Sequence, residues 1–594
     1  MPLFNFNDED QFGKVRAVDT RRVVVQVVSD EALRLARVGQ LATIRLPGAI
    51  DAWLIALIDK VIKIPVGASV SELATEDVAE PEDSEQESIY NAAHLSLIGT
   101  VNEVAGERSF SRSLRQIPEI DSLCYLLKDE RLQEFMGILA SESEDGDSLG
   151  LGVYTIDEAA KAFLDGNRFF QRHAALLGST GAGKSYTLAS ILEQAAKLPT
   201  SNLVLFDLHG EYSLMSYASH LRIPGPEDLG RSDEELMFLP YWLMNTEELQ
   251  SMFVETSGFT AHNQITKFRD IVIEAKRKTL TACRDSVVLA AFTMDSPIPF
   301  SIRSVRDELY RLDVEMVQGA KGPKKGDWNG QFSRFVGRID SIVADKRNGF
   351  MFNGPDSVMA YDYLVKLAER LMGCKGERRQ IKIIDFSEVP SDILPVIVGL
   401  VARLIFQIQF WTDPDKRQPI ALVCDEAHLY LPRREGCNPA EARAVENFER
   451  IAKEGRKYGV ALLVASQRPS DVSTTILSQC NNVVSMRLTN SDDQAVVKRL
   501  MPESLSGLTD VLPVLDTGEA LVVGDSVLLP SRIKVTAPKE PPQSSTRDFW
   551  KEWKKTEVEV NFKEVIDKLR RQSRKANPGE ALGVVRETVG SSHA

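Results

Sequence analysis

The chain has 594 residues, which is too long for one hydrophobic core and predicts several domains or one large domain with insertions. Hydrophobic residues make up 43% and charged residues 26%, the usage of ordinary globular domains. The apolar run 384–410 is interrupted by Glu388, Asp392 and Arg403, so we interpret it as a buried strand and helix rather than a membrane span. The acidic N-terminus lacks the segments of a secretion signal, and we expect a cytoplasmic protein without membrane contact.

The net charge of −14 argues against a broadly basic surface for nucleic acid, because phosphate contacts usually come from clustered Lys and Arg. Much of the acidity lies in two segments, 71–88 and 141–147, which we interpret as solvated loops. The charge therefore still permits a ring that is acidic outside and basic only along its channel.

Six cysteines are scattered along the chain without a C-x-x-C pair. This spacing argues against a disulfide framework and against a structural zinc site. We expect free thiols, with Cys424 buried in a strand.

Short β-strands dominate the chain up to about residue 110. The segments typical of strands are VRAVD, RRVVVQVVSD, LATIRLP, AWLIALIDKVIKI and HLSLIGTVNE. Several short strands at this spacing predict a small β-barrel, to which we assign residues 1–115.

An α/β pattern begins near residue 150. An apolar strand, HAALLG, leads into a glycine-rich turn, then a helix, SYTLASILEQAAKL, and a second apolar strand, NLVLFDL. That order is a βαβ unit and predicts a parallel sheet covered by helices. Residues 116–225 form the first part of the predicted α/β core.

Helical patterns dominate from about 225 to 375, apart from the basic loop GAKGPKKGDWNG, and predict a helical insertion at residues 226–378. Strands then resume with IKIIDFSEV, PIALVCDEA, ALLVASQ and NNVVSMRL, and end in a hairpin, GEALVVGDSVLLPSRIKV. These strands assign residues 379–540 to the second part of the core. Residues 541–594 predict one amphipathic helix and a polar, disordered end.

The strongest motif is GSTGAGKS at residues 178–185, a complete G-x-x-x-x-G-K-[ST] between a predicted strand and a predicted helix. Its glycines let backbone N–H groups face phosphates, and the helix N-terminus adds a favourable dipole. We expect Lys184 to reach the β- and γ-phosphates of ATP and Ser185 to bind Mg²⁺. Average residue usage gives roughly a 2% chance of such a match in a chain of this length. The predicted nucleotide-binding residues are Gly178, Ser179, Thr180, Gly181, Ala182, Gly183, Lys184, Ser185 and Tyr186.

A P-loop ATPase also needs an acidic element that holds the metal and the attacking water, and PIALVCDEAH at 419–428 supplies it. Asp425, at the end of an apolar strand, is placed to bind Mg²⁺ through water, and Glu426 to act as general base. A strand followed by a solvated acidic turn is common in isolation, but the P-loop in the same chain favours the catalytic interpretation. His428 lies in no H-x-x-x-H or H-E-x-x-H pattern, which argues against a zinc site.

Two further polar positions follow in sequence. Gln467, in SQRPS after the next predicted strand, is our candidate sensor of the γ-phosphate or the water, although it could simply cap the strand end. The segment FERIAKEGRKYG at 448–459 places arginines at a helix end. An arginine there could stabilise the transferring phosphoryl group of a neighbouring subunit, or only form a surface salt bridge.

Together these residues resemble the HerA/FtsK superfamily, and specifically the HerA ATPases. The shared motifs are GSTGAGKS, FDLHGEY at 206–212, LPYWLMN at 239–245, DEAHLYLP at 425–432, IAKEGRKYGV at 451–460, SQRPS and TGEALVVG at 517–524. FtsK itself is a worse match, since no membrane segment is evident. The resemblance implies an N-terminal HAS-barrel, a RecA-like core with a helical insertion, and a homo-hexamer that threads double-stranded DNA.

The resemblance also implies roles for particular residues and partners. Arg456 would be a trans-acting arginine finger, and Arg172 a second arginine acting across the subunit interface. The family's D-x-H-G-E-Y element is present at 207–212, with its role left open. HerA proteins commonly work with a separate nuclease such as NurA, or with a sirtuin-like or other effector in anti-phage defence, and the barrel would be the docking site.

Three other interpretations have sequence features that discriminate them. An ABC-type ATPase is disfavoured because Leu505-Ser506-Gly507 follows the acidic strand instead of preceding it. A secretion or conjugation motor is disfavoured by the missing membrane anchor. A nucleotide-gated scaffold that activates a partner remains open. For DNA contact, the candidates are Arg433, Arg434 and the segment 471–478.

Overall fold

The computed structural model describes residues 4–572 in two compact units. The first unit comprises residues up to 195 together with 463–471 and 477–541, and the second comprises 196–462, 472–476 and the residues from 542 onward. The description leaves out residues 20–21, 47–51, 66–88, 105–106, 115, 144–147, 232, 254–260, 320–321, 374–379, 545–547 and 557–559. The acidic segment 71–88 therefore lies outside the described residues, whereas the first three residues of the segment 141–147 end the helix Asp129–Ser143.

A closed β-barrel forms the N-terminal part of the first unit. Its six strands close because Arg22–Val27 pairs antiparallel with Gln11–Val18 on one side and with Ile89–Val104 on the other. Around the ring the strands are Arg22–Val27, Gln11–Val18, Leu123–Leu126, Leu41–Arg45, Ala52–Pro65 and Ile89–Val104, and Glu107–Ser111 pairs with the last of these outside the ring. The predicted barrel is confirmed, and its strand Leu123–Leu126 lies beyond residue 115.

Apolar side chains at alternate positions of most strands fill the barrel. Interior positions of a small barrel must be apolar at every second residue of each strand. The buried cluster follows this period on five of the six strands, with Val23, Val25 and Val27, then Ala42 and Ile44, then Leu54, Ala56 and Ile58, then Ala93, Leu95 and Leu97, and Cys124 and Leu126. The strand Gln11–Val18 departs from it, because Phe12 and Val15 lie three residues apart and the register of this strand shifts against both of its neighbours. The apolar runs of the sequence therefore indicate the strands, but not which face of each strand points into the barrel, because consecutive residues such as Ile55 and Ala56 are both buried.

One acidic side chain interrupts this apolar pattern. Asp59 lies where the register of Ala52–Pro65 shifts against its neighbour, between Ile58 and Lys60. Such bulges turn a side chain out of the regular alternation. Burial raises the pKa of Asp59 to about 6, although the hydroxyl of Ser96 donates a hydrogen bond to its carboxylate and Arg22 lies near enough to oppose the shift.

We expect Asp59→Asn to raise the melting temperature by a few degrees at pH 8 and to change it little at pH 4. The folded state raises this pKa, so ionisation opposes folding. The protonated group's contribution is complete below a pH of about 4 and is lost as the pH rises through about 6. Differential scanning calorimetry at the two pH values measures the effect. An equal shift at both would contradict ionisation as its cause.

The remainder of the first unit is built on the short buried strand Ala174–Leu177. This strand pairs parallel with residues 463–466, the end of the strand Val460–Ser466, and with Asn482–Ser485. An antiparallel series continues through Glu519–Gly524, Ser531–Val535, Ser148–Tyr154 and Asp157–Asp165. The predicted hairpin at 518–535 is confirmed. The helices of the first unit are Asp30–Leu35, Asp129–Ser143, Gly166–Gln171, Lys184–Ala195 and Ser491–Leu500.

Four parallel strands lie wholly within the described part of the second unit. Their order is Ala218–Arg222, Ile381–Asp385, Leu203–Asp207 and Ile420–Cys424. Parallel neighbours need crossover connections, and long stretches of chain separate these strands in sequence. The last two strands are buried at every residue, and their carboxyl ends lie side by side because Phe206 is paired with Cys424.

Helices make up most of the rest of the second unit. Between residues 246 and 372 they are Thr246–Phe253, Ala261–Cys283, Ser286–Ala291, Ile302–Asp313, Ser333–Ala344, Gly349–Phe352 and Tyr363–Met372. Two long helices follow, Leu394–Trp411 and Pro439–Glu454, which pack against each other. The short helix Thr474–Ser478 lies after the strand Val460–Ser466 in sequence.

The helix Leu394–Trp411 is long and apolar enough, by length and composition alone, to cross a membrane. However, 72% of its apolar stretch is buried inside the protein. It is therefore the core helix expected from the run 384–410, and the strand Ile381–Asp385 precedes it.

Two sequence predictions in the second unit were wrong. The basic segment predicted as a loop contains the strand Gly322–Lys325, which pairs with Met316–Gly319. The C-terminal segment forms two short helices, Phe549–Trp553 and Phe562–Arg571, instead of one amphipathic helix. The second helix starts afresh because the side chain of Asn561 caps it, accepting the backbone N–H of Glu564 at 3.3 Å.

Candidate nucleotide site

The glycine-rich loop connects the buried strand Ala174–Leu177 to the helix Lys184–Ala195. Gly181 and Gly183 have φ angles of +76° and +107°, which L side chains rarely adopt. A Cβ atom at Gly183 would also lie 3.0 Å from the methyl carbon of Met486. Both glycines are therefore required by the backbone path of the loop.

The loop presents backbone donors at the start of a helix of 12 residues. The N–H of Gly178 donates to Ser466 at 3.2 Å and the N–H of Ser179 donates to Arg487 at 2.8 Å, which anchors the beginning of the loop. Among the described residues, the N–H groups of Gly181 and Gly183 donate to no protein acceptor. A loop with unengaged N–H groups at a helix N-terminus fits a phosphate chain.

A late segment of the chain supports the far side of this loop. The N–H of Gly518 donates to the carbonyl of Ala182 at 2.9 Å, and the hydroxyl of Thr517 donates to the carbonyl of Gly181 at 3.4 Å. These contacts, which we call the 517–518 clamp, give a structural role to the start of the TGEALVVG motif. The sequence showed the motif but not its contact with a loop more than 300 residues earlier.

Gln467 lies against the glycine-rich loop, as a sensor would. Its side-chain oxygen accepts a hydrogen bond from the hydroxyl of Thr180. Lys184, at the start of the helix, is 5% exposed. The structure thus brings Gln467 together with the predicted phosphate loop, while its sensing role stays a prediction.

The acidic pair follows the buried strand Ile420–Cys424. Asp425 and Glu426 are 5% and 7% exposed, and Glu426 has a φ of +46°, a left-handed conformation that is costly for a residue with a side chain. The N–H of Glu426 donates to Oδ1 of Asp425 at 2.9 Å, and Nδ1 of His428 lies 3.4 Å from Oε2 of Glu426. These contacts position the Glu426 carboxylate beside His428.

Two buried tyrosines bind the same acidic residue. The hydroxyl of Tyr212 donates to Oδ2 of Asp425 at 2.8 Å, and the hydroxyl of Tyr430 donates to its main-chain carbonyl at 3.0 Å. Burial raises the pKa of Tyr212 well above its ordinary value, and the charge of Asp425 adds to the shift. Tyr212 is therefore a hydrogen-bond donor throughout the physiological pH range.

Arg456 lies in the turn Gly455–Tyr458 at the end of the helix Pro439–Glu454. Its side chain is exposed and forms no ion pair with any of the residues that the structure describes. The turn itself is fixed, because the ring of Tyr458 packs against Phe406 and Phe410. A guanidinium on a fixed turn that faces solvent is available to a neighbouring molecule.

Arg172 has a partner in its own chain. It follows the short helix Gly166–Gln171 and forms an ion pair with Asp525, whose carboxylate also accepts from the side-chain amide of Asn481 at 3.3 Å. It precedes the strand Ala174–Leu177, so that strand separates it from the glycine-rich loop. Any action of Arg172 on a neighbouring subunit would therefore require it to leave Asp525.

The basic candidates for DNA contact differ in their surroundings. Arg434 donates to the buried carboxylate of Glu449 at 3.2 and 2.6 Å, and the same carboxylate accepts from the hydroxyl of Ser473 at 2.9 Å. The charge of Arg434 is therefore balanced within the second unit. Arg433 is half-buried and forms no such pair with another described residue.

The two parts of the predicted site belong to different units. The glycine-rich loop and Gln467 lie in the first unit, whereas the acidic pair and Arg456 lie in the second. The described residues contain no group of three or more His, Cys, Asp or Glu side chains placed to hold a metal ion. The hydroxyl of Ser185 and the carboxylate of Asp425 are each of a ligand type that P-loop proteins use for Mg²⁺ together with phosphate oxygens, so both residues stay predicted ligands.

A buried parallel strand, a glycine loop with free N–H groups and a buried lysine at the start of a helix define the P-loop ATPase class. Two family models match this chain, "Helicase HerA, central domain" over residues 149–405 and "Helicase HerA-like C-terminal" over residues 387–568. The chain belongs to the HerA family.

Curated relatives agree with this assignment. The chain is 27% identical over 396 residues to the DNA double-strand break repair helicase HerA of Saccharolobus solfataricus, covering 65% of this chain and 69% of the relative. It is 25% identical over 444 residues to the protein of the same name from Pyrococcus furiosus, covering 69% and 72%. A probable helicase of Methanocaldococcus jannaschii is 25% identical over 471 residues, covering 77% and 79%.

Solved structures similar to the chain are more distant. VirB4 of Thermoanaerobacter pseudethanolicus aligns with a TM-score of 0.43 and 16% identity, covering 67% of this chain and 98% of that chain. The plasmid coupling protein TrwB in complex with ADP and Mg²⁺ aligns with a TM-score of 0.42 and 13% identity, covering 68% and 94%.

Proposed function

We propose that the protein is an ATP-driven translocase of double-stranded DNA that works as a homo-hexameric ring in the cytoplasm. The observation that carries the proposal is a complete phosphate loop, with Gln467 hydrogen-bonded to it, in a chain of the HerA family. The curated relatives named as DNA double-strand break repair helicases support DNA as the substrate.

Within this proposal, the phosphate loop and the acidic pair act on one ATP molecule. Bound Mg²⁺ would supply charge neutralisation of the triphosphate. Gly181 and Gly183 would donate their N–H groups to phosphate oxygens, Lys184 would pair with the β- and γ-phosphates, and Ser185 and Asp425 would hold the metal. Glu426 would take the proton of the attacking water.

Subunit contacts complete the proposed site. Arg456 would reach the nucleotide of the adjacent subunit, where its guanidinium would stabilise the negative charge on the phosphoryl group in the transition state. Its exposure and its lack of an ion pair among the described residues support this role. Arg172 would contribute only after release from Asp525, which makes it the weaker of the two arginines.

The proposed work of the motor is DNA processing together with a separate effector. A NurA-like nuclease, or a sirtuin-like or other effector in anti-phage defence, would dock on the N-terminal barrel. The barrel supports this arrangement because it is a closed element with its own apolar core.

Long duplex DNA is expected to raise ATP turnover several-fold, and the stimulation should fall steeply with salt. Each neutralised phosphate releases counterions, so the logarithm of affinity falls with the logarithm of salt concentration by about 0.9 per contact. Steady-state turnover with and without DNA, between about 50 and 200 mM salt, measures both effects.

The matched variants for this experiment are Arg433→Ala and Arg434→Ala. Arg433→Ala is expected to lower the slope of log affinity against log salt concentration by about 0.9, the value of one phosphate contact. Arg434→Ala should lower it by less, because Glu449 already balances the charge of Arg434. Turnover that ignores DNA but responds to a partner protein would replace the translocase with a nucleotide-gated scaffold.

A further inference from the structure

The D-x-H-G-E-Y element winds around a single carboxylate. The strand Leu203–Asp207 ends at Asp207, whose side chain is almost fully buried. Its oxygens accept four backbone N–H groups, those of His209, Gly210, Glu211 and Tyr212, at 3.2, 2.9, 3.1 and 3.0 Å. The Asp207 side chain thus determines the path of the five residues that follow it.

This turn places Tyr212 against the acidic pair. The ring is fully buried, and its hydroxyl donates to Oδ2 of Asp425 at 2.8 Å. The other oxygen of Asp425 accepts the N–H of Glu426 at 2.9 Å. Two hydrogen bonds in different directions fix the plane of the carboxylate.

We propose that Tyr212 is a positioning residue, which orients the Asp425 carboxylate toward water-bound Mg²⁺ and is itself held in place by the Asp207 turn. The inference rests on the proposed function. Tyr212 acts through Asp425 and does not touch the nucleotide. Partners that orient a metal ligand typically contribute about 10- to 100-fold to metal affinity or activity.

Tyr430 provides a matched control for this inference. Like Tyr212 it is fully buried, and its hydroxyl donates to the same residue, but to the main-chain carbonyl of Asp425 at 3.0 Å. Tyr212→Phe and Tyr430→Phe each remove one buried hydroxyl from Asp425. Only Tyr212→Phe removes the bond to the carboxylate.

The test measures the affinity of a fluorescent, non-hydrolysable ATP analogue in Mg²⁺ and in EDTA, together with the melting temperature of the nucleotide-free protein. Tyr212→Phe is expected to weaken the affinity in Mg²⁺ by about 10-fold or more while the affinity in EDTA stays at the wild-type value. Tyr430→Phe should lower the melting temperature but keep the wild-type response to Mg²⁺. Asp207→Asn, which replaces an acceptor oxygen of the turn by a donor, should reproduce the defect of Tyr212→Phe.

The inference is overturned if folded Tyr212→Phe and Asp207→Asn proteins both keep the wild-type response to Mg²⁺. It is also overturned if Tyr430→Phe loses that response equally, since the effect would then be general loosening. A wild-type protein whose affinity for the analogue ignores Mg²⁺ would instead refute the proposed nucleotide site, and the inference with it.

Discussion

Lys184→Ala and Glu426→Gln are each expected to reduce ATP turnover by at least about 100-fold, through different steps. Lys184 carries the charge that pairs with the β- and γ-phosphates, and alanine leaves the loop with its N–H donors alone. Glutamine at position 426 keeps the size of the side chain but cannot accept the proton of the attacking water. Phosphate release under saturating Mg²⁺ and ATP measures both losses.

The affinity for ATP is expected to distinguish Lys184→Ala from Glu426→Gln. Lys184→Ala is expected to lose affinity for ATP, whereas Glu426→Gln should bind ATP and hold it. Lys197→Ala and Glu435→Gln are the matched controls, because both residues are exposed and lie close in sequence to the altered ones. Wild-type turnover in either Lys184→Ala or Glu426→Gln would show that the site lies elsewhere in the chain.

Arg456→Ala alone is expected to reduce turnover by about 1000-fold, and mixing it with Glu426→Gln should restore part of the activity. In a mixed ring, some boundaries join an intact Glu426 of one subunit to an intact Arg456 of its neighbour. Only those boundaries hold a complete site if the arginine acts across the interface. Turnover measured as a function of the mixing ratio should therefore pass through a maximum.

The control for the mixing experiment lies one position along the same turn. Lys457 is also exposed, and Lys457→Ala should retain turnover without any mixing. Size-exclusion chromatography of each sample must show the same assembly. Mixed rings that assemble but never recover would make Arg456 a structural residue or one that acts within its own subunit.

The fold class could be predicted because its signals are local. Short apolar runs such as RRVVVQVVSD and AWLIALIDKVIKI predict the barrel strands, and the order of HAALLG, helix and NLVLFDL predicts a βαβ unit. Closure of the barrel was less visible in the sequence, because the strand Leu123–Leu126 has only four residues and residues 116–122 directly before it form no helix or strand. The basic hairpin was missed because its charged residues resemble those of a solvated loop.

Some residues of the candidate site could likewise be predicted from the sequence, whereas the contacts between distant residues could not. Lys184, Asp425 and Glu426 could be chosen from motifs in which the chemistry requires adjacent residues. The bond from Tyr212 to Asp425 joins residues 213 positions apart, and the 517–518 clamp joins positions 336 apart. Nothing in the spacing of these residues indicates contact. The D-x-H-G-E-Y motif was visible as a pattern, but only the backbone bonds to Asp207 explain it.

The strand Glu519–Gly524 begins directly after the 517–518 clamp and ends directly before Asp525, the partner of Arg172. It spans about 20 Å and is hydrogen-bonded on both edges, so it resists stretching and bending. This strand thus connects two contacts. At its start the 517–518 clamp binds the carbonyls of Gly181 and Ala182, and at its end the carboxylate of Asp525 binds Arg172. If the glycine-rich loop moved along the direction of this strand, the strand would move with it as one body. The Arg172–Asp525 ion pair at its other end would then be displaced without unfolding of the strand.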